Sequence, residues 1–441
     1  MVSSSSFDRI DPPFRDRPEH PPSPTHFNGI RRADGRVATR NYIGVFVAGN
    51  CAATAARRVA NWFTPARLQA FPNVDGVVPF VHEIGCGMEM TGEPMDLLRR
   101  TLSGTIRHPN IGAAVVLALG CERNNIYGFM EQEQLVTGPL LQTLVLQELG
   151  GTQAAIDAGI AAVRRMLPVV DQVRREPCPL SRLVIGLQAS NPLAVGAMPG
   201  RLDAPKTSVS SATGSTGAAA TASRADSADT ALGAAVDLLV ARGGTAILSA
   251  TSAVATVADA FLARSATPAV RDALARRLAW WRDYTLGRNT RFSGIPPGFD
   301  VPAVIAQSGS TPLVEVVEYA KPVTAHGLVF MDAPSYEAVS VSGQIASGAH
   351  LVCLTTRQGS SFGSFPAPTL KIATDTALFR RMEEDLDVNA GALADGTLDV
   401  AGMAARLLDA IVRHASGEPT KAEELGVGDN EFVPWPIGAL A

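Results

Sequence analysis

The segment VHEIGCGMEM, residues 81–90, places His82, Glu83, Cys86 and Glu89 among glycines where an apolar run stops. Two further cysteines stand in the same relation to an apolar run, Cys51 in AGNCAAT from Ala48 and Cys121 in ALGCERNN from Ala118. A thiolate is a nucleophile and a soft metal ligand, and a histidine near neutrality is a general base. His82, Cys86, Cys121 and Glu122 are therefore the candidate catalytic groups, with Cys51, Cys86 and Cys121 as candidate metal ligands. The competing reading is structural. Free cysteine commonly behaves as a small buried apolar residue, His82 could be a hydrogen-bonded core histidine, and Glu122 and Asn124 could open a solvated helix.

Four arginines precede the first apolar run in RRADGRVATRNYIG, residues 31–44. Guanidinium forks hold carboxylates at two points, so Arg36 and Arg40 are candidates for binding an acid substrate, together with Asn50 and Lys371. A basic surface at the edge of the fold is the alternative. The chain has no HExxH, no CxxC pair and no P-loop or GxGxxG spacing. Cys353, inside LVCLTT, reads as core, and Cys178, between two prolines, as a loop residue.

These residues need elements to position them. Short apolar runs recur at 42–49, 75–81, 113–120, 182–188, 244–249, 326–332 and 349–356. Their near-continuous apolar character fits strands buried on both faces. Helix patterns lie between them at 51–63, 91–104, 152–166, 230–242, 266–284, 376–386 and 401–415. The alternation predicts an α/β fold with two domains carrying mainly parallel, Rossmann-like sheets. Cys51, Cys86 and Cys121 then all follow strand ends, where parallel sheets bind ligands.

The Pro- and Ser-rich residues 1–26 read as a disordered leader, 27–190 as a first α/β domain, and 231–441 as a second. Between them, 191–230 is Ala, Ser, Thr and Gly with few large apolar residues, which predicts a flexible insertion or linker. The ending EFVPWPIGALA should pack as an extended tail, because Pro434 and Pro436 forbid helix. At 441 residues with 46% hydrophobic and 18% charged residues, most of the chain should be globular. A net charge of -4 argues against nucleic acid as a partner, and no apolar stretch reaches membrane-helix length. Five scattered cysteines make no disulfide framework, so a reduced cytoplasm is the expected setting. A homo-oligomer is the expected assembly for an α/β enzyme of this size.

Several ordered segments carry a family resemblance. DGRVATRNYIGV, GNCAATAARRVA, VDGVVPFVHEIGCGM, RRTLSGTIRHPNIGAAVVLALGCE, the stretch SGSTPLVEVVEYAKPVTAHGLVFMDAPSYEAVSVSGQIASGAHLVCLTTRQGSSFGSFPAPTLKIAT and DNEFVPWPIGAL together resemble the altronate/D-galactarate dehydratase family. The large subunit of sulfolactate sulfo-lyase shares that resemblance. It implies an α/β lyase that removes water or sulfite from a small hydroxy acid with help from a divalent metal, commonly iron. It also leaves open a separate small subunit, since the small domain preceding this region in the dehydratases has no counterpart here.

The departures from that pattern are specific. Where the family usually has a cysteine after RLVIGLQ, this chain has Ala189 and Ser190. Two family acids are Ala250 and Ala253, a family cysteine and lysine are Ser364 and Phe365, and a further cysteine is Ala390. Alanine has no lone pair to offer and serine is a poor soft-metal ligand. Two functions stay open. One is a divergent lyase acting on a hydroxy or sugar-type carboxylic acid with altered or lost metal dependence. The other is a homologue without dehydratase activity, kept as a binding or partner subunit or retasked in a specialised pathway.

Overall fold

In the computed structural model, residues 24–189, 216–286 and 305–436 are described. Three sheets organise them. The first is a small antiparallel sheet in the order β2 (Val37–Ala38), β1 (His26–Arg31), β7 (Arg175–Pro179). The second holds β3 (Tyr42–Val47), β4 (Gly76–Phe80), β5 (Ile111–Ala118) and β6 (Leu141–Val145). Its order is β4-β3-β5-β6, and every pairing is parallel.

The third sheet has seven parallel strands in the order β10-β11-β9-β8-β12-β13-β14. These are β8 (Val184–Ala189), β9 (Thr245–Leu248), β10 (Leu313–Val317), β11 (Leu328–Met331), β12 (Leu351–Thr356), β13 (Thr369–Ala373) and β14 (Val388–Asn389). The α/β architecture expected from the alternating pattern is what forms.

Both faces of the four-stranded sheet are covered, which explains its uninterrupted apolar strands. Ile43, Val45 and Val47 face the helices Ala53–Trp62 and Thr152–Val170, while Phe46, Phe80 and Val116 face the helix Glu93–Ile106. That last helix meets Glu337–Ala346 of the seven-stranded half so closely that a Cβ on Gly104 would lie 2.5 Å from the Ala346 carbonyl oxygen.

Three expectations need correction. The strand over 182–188, grouped by sequence with the first domain, lies in the middle of the seven-stranded sheet between β9 and β12. The segment read as a linker contains the start of a helix, Thr216–Val240, because its alanines are strong helix formers as well as poor core formers. Residues 190–215, the rest of that stretch, lie outside the described residues, as do 1–23 of the expected leader. Cys178 is no loop residue. It is fully buried in β7, paired with Phe27 of β1.

The C-terminal tail joins the two parallel sheets without helix. Arg57 holds Asn430 at 2.9 Å, and Phe432 packs edge-on against Phe80 at 5.4 Å. Ser342 Oγ accepts the Val433 N–H at 2.9 Å. Trp435 ends in an aromatic box with ring centroids of Trp280, Trp281, Tyr284 and Tyr319 at 5.8, 6.1, 5.7 and 5.4 Å.

Candidate active site

Because β3 lies between β4 and β5, the loops leaving their carboxyl ends are neighbours. Backbone bonds lock them together. The Asn50 N–H donates to the Ile84 carbonyl at 3.2 Å and the Asn124 N–H to the Gly85 carbonyl at 2.9 Å. The Asn124 side-chain amide donates to the Ala48 carbonyl at 2.9 Å, and Arg99 Nε reaches back to Asn124 Oδ1 at 3.0 Å. Gly85 makes the contact possible. Its φ is +101°, and a Cβ there would lie 2.5 Å from the Ala48 carbonyl oxygen.

On this rim Cys51 and Cys86 meet, with Sγ atoms 3.6 Å apart and no disulfide. Cys51 and Cys121 are exposed and Cys86 is half-buried. Burial and the adjoining Cys51 thiol push the Cys86 thiol up, and the Glu122 carboxylate adds to the effect. Cys86 is therefore held protonated, not activated as a nucleophile. Asn50 is exposed on the same rim, its Oδ1 3.8 Å from the Cys51 sulfur.

His82 sits beneath the rim, buried. Its Nε2 lies 3.1 Å from the Val47 carbonyl oxygen, which requires the proton on Nε2 and leaves Nδ1 as a lone pair. Nδ1 has no hydrogen-bond partner. Burial pulls the pKa down to about 4, against the opposite effects of the Val47 and Ile84 backbone groups, so the ring is neutral near pH 7.

Other predicted residues are placed elsewhere or occupied. The Glu122 carboxylate folds back to accept the N–H groups of Leu119 and Gly120, the latter at 2.8 Å. It shapes the turn and is not free to act as an acid. Arg40 is buried in a two-point ion pair with Glu423, at 2.7 and 2.8 Å, and also donates to the His414 and Glu418 carbonyls. It holds structure, not substrate. Arg36 pairs with Asp34 at 2.7 Å and lies before β3, at the opposite end of the sheet from the thiols. Lys371 is fully buried in β13, its Nζ 4.0 Å from Asp385 and without a hydrogen bond. None of these three cations joins the rim. Sequence reasoning missed Arg99, which braces Asn124 from a helix, and nothing in its local sequence signals that role.

The proposed metal trio can be tested on donor chemistry. Two thiolates on one tetrahedral ion at about 2.3 Å each are about 3.8 Å apart, close to the Cys51–Cys86 separation. Cys121, the third of the trio, is exposed and is not brought together with this pair into a metal-holding group. Among the described residues no group of three or more His, Cys, Asp or Glu is arranged to hold a metal ion. The residues as folded do not fit a centre built on all three cysteines.

Comparison with known proteins agrees with this framework. The profile "D-galactarate dehydratase/Altronate hydrolase, second domain" matches residues 29–171, and "D-galactarate/Altronate dehydratase, C-terminal" matches 216–298 and 303–440. The chain belongs to the galactarate/altronate dehydratase family. Altronate dehydratase of Escherichia coli (strain K12) is 26% identical over 93% of this chain and 78% of its own length. Galactarate dehydratase (L-threo-forming) of the same organism is 28% identical over 93% and 77%. (2R)-sulfolactate sulfo-lyase subunit beta of Chromohalobacter salexigens is 26% identical over 92% of this chain and 96% of its own length. The first family profile spans all three rim loops, and among the described residues no helix is long and apolar enough to cross a membrane.

Proposed function

We propose that this family member is a lyase that eliminates water from a small hydroxy or sugar-type carboxylic acid at the rim formed by the loops after β3, β4 and β5. The observation that carries the reading is His82, a neutral imidazole with its tautomer fixed by the Val47 carbonyl and an unpartnered Nδ1 under the joined loops. Elimination begins with loss of the proton beside the carboxylate to a base; the hydroxyl on the next carbon takes up a proton from solvent and leaves as water, the base later returns its proton to solvent, and the enol becomes a 2-keto acid. A lone pair on a base must accept that first proton. His82 Nδ1 takes this role, and the incoming acid supplies the negative charge that stabilises the imidazolium formed. Without it, charging the ring costs about 3 kcal/mol more than in water, because burial disfavours the imidazolium. Asn50, exposed beside Cys51, orients the substrate.

No step is routed through a metal, and the metal dependence implied by the family resemblance is expected to be altered or lost. Altronate, galactarate and sulfolactate should be assayed for 2-keto acid, or for sulfite with the last, alongside metal analysis of the anaerobically purified protein. Turnover of at least one acid is expected, with kcat lowered about 10²–10⁴-fold in His82→Gln. Full activity in that variant removes the base, and no product from any acid removes the lyase reading. A second reading is favoured by the match to a beta subunit over 96% of that relative's length. In that reading the chain works with a separate small subunit. Co-purification from the native host tests it, together with size-exclusion chromatography for the expected homo-oligomer.

A further inference from the structure

A second concave site lies at the other end of the strands. A cavity of about 460 Å³ opens where the two parallel sheets meet, a volume suited to a small ligand. The four-stranded half contributes Arg36, Arg107 and His108, and the seven-stranded half contributes Arg182, His326 and His350. Glu133 is the single acid in the lining, and its carboxylate already accepts the Ser103 hydroxyl at 2.6 Å. Arg182 has no hydrogen-bond or ion-pair partner among the described residues, and Arg107 bonds the Glu133 backbone carbonyl, not a carboxylate.

His350 adds a hydrogen-bond donor to the lining. It is 7% exposed, and its Nδ1 accepts the Val184 N–H at 3.2 Å, which puts the ring proton on Nε2. That N–H donor has no partner among the described residues. The neighbouring His108 is satisfied at both nitrogens, by the Asn110 N–H at 3.1 Å and the Ala349 carbonyl at 3.1 Å. His350 lines the cavity, so its Nε2–H is free to donate to an anion that enters it. Burial keeps both imidazoles neutral, and the Arg36 charge lowers both further, so the cavity carries a positive field.

We propose that this cavity binds one small oxyanion bearing at least two negative charges, held by Arg107 and Arg182 from opposite halves and by the His350 Nε2–H. Arginine forks and a neutral imidazole donor suit phosphate or clustered carboxylate oxygens. The site is separate from the thiol rim. β5 runs from Ile111, just after the His108–Pro109 edge of the cavity, to Ala118, just before Cys121, which is roughly 23 Å of strand. The anion would tie the two sheets together at their amino ends, whatever reaction occurs at the rim.

The test is titration calorimetry and thermal melting of the full chain with sodium phosphate and with citrate, against sodium chloride at equal ionic strength. One equivalent should bind, with a melting rise beyond chloride for at least one of the two; the preferred ion shows whether the site favours phosphate or carboxylate oxygens. Arg182→Glu and Arg107→Glu should each weaken that binding at least tenfold, and Arg271→Glu, on the helix Pro268–Thr285 and outside the cavity lining, should leave it unchanged. Arg182 is exposed and partnerless, so its variant should fold. The proposal is overturned if neither ion exceeds chloride, or if Arg182→Glu folds and binds as tightly as the wild type.

Discussion

Acid should destabilise this protein through its buried neutral histidines. His82 and His350 both have pKa values near 4 because burial disfavours their charged forms. In the unfolded chain they return to about 6.5, so between those values the unfolded state binds protons that the folded state refuses. Stability is then full above pH 6.5 and falls as pH drops towards 4. From pH 7 to 4.5 the loss is roughly 2–3 kcal/mol for each ring, or about 5 kcal/mol together.

Asp332 works the other way. Burial, only partly opposed by Arg277 at 3.3 Å, raises it to about 6. It is protonated in the folded state before the unfolded one, which returns about 2 kcal/mol over the same interval. The net loss is about 3 kcal/mol, and His108, also held well below its ordinary value by burial, increases it. The net uptake on unfolding near pH 5 includes nearly one proton each for His82 and His350 and a further share from His108, less nearly one released by Asp332 and what Asp75 and Asp387, also raised by burial, release. Unfolding enthalpies in buffers of different ionisation heat give that number directly, and His350→Gln should reduce it by about one. An uptake unchanged in His350→Gln would refute the assignment of that ring as buried and neutral.

Further outcomes follow from the rim and its supports. Arg40→Ala leaves Glu423 buried without its partner and should cost about 3–5 kcal/mol in chemical denaturation, with kcat per folded molecule retained; a loss of activity without loss of stability would return Arg40 to the substrate. Gly85→Ala drives a methyl group into the Ala48 carbonyl and should cost about 1–3 kcal/mol. It should also abolish bridging of Cys51 and Cys86 by phenylarsine oxide, which the wild type should accept at one equivalent; unchanged bridging would show the loops can part without separating the thiols. Native protein should present three cysteines to Ellman's reagent (Cys51, Cys86 and Cys121), with Cys178 and Cys353 reacting only after denaturation. More than three fast thiols would contradict the burial.

Much of this arrangement was legible in the sequence because strands buried on both faces leave a plain mark. The runs YIGVFV and IGAAVVLA have no polar face to interrupt them, and a thiol follows each. Which sheet a strand joins has no such mark. β8 has the same apolar signature, but its partners, β9 and β12, lie far downstream. Cations misled for a related reason. Arg40 looks free in RRADGRVATRNYIG, and its carboxylate is 383 residues away at Glu423. Lys371 reads as a substrate-binding group, although the strand around it is buried. Glu122 was miscast by something local, a carboxylate turning back on two N–H groups within three residues of its own position.

The aromatic box around Trp435 makes one joint of the molecule optically visible. Three of the four tryptophans, Trp280, Trp281 and Trp435, share it, while Trp62 sits apart on the other half between the guanidiniums of Arg67 and Arg164. Intrinsic emission therefore weights the docking of the last residues about three to one over everything else. A red shift that precedes loss of helical ellipticity would mark the tail leaving its seat while both sheets are still formed, with no label attached.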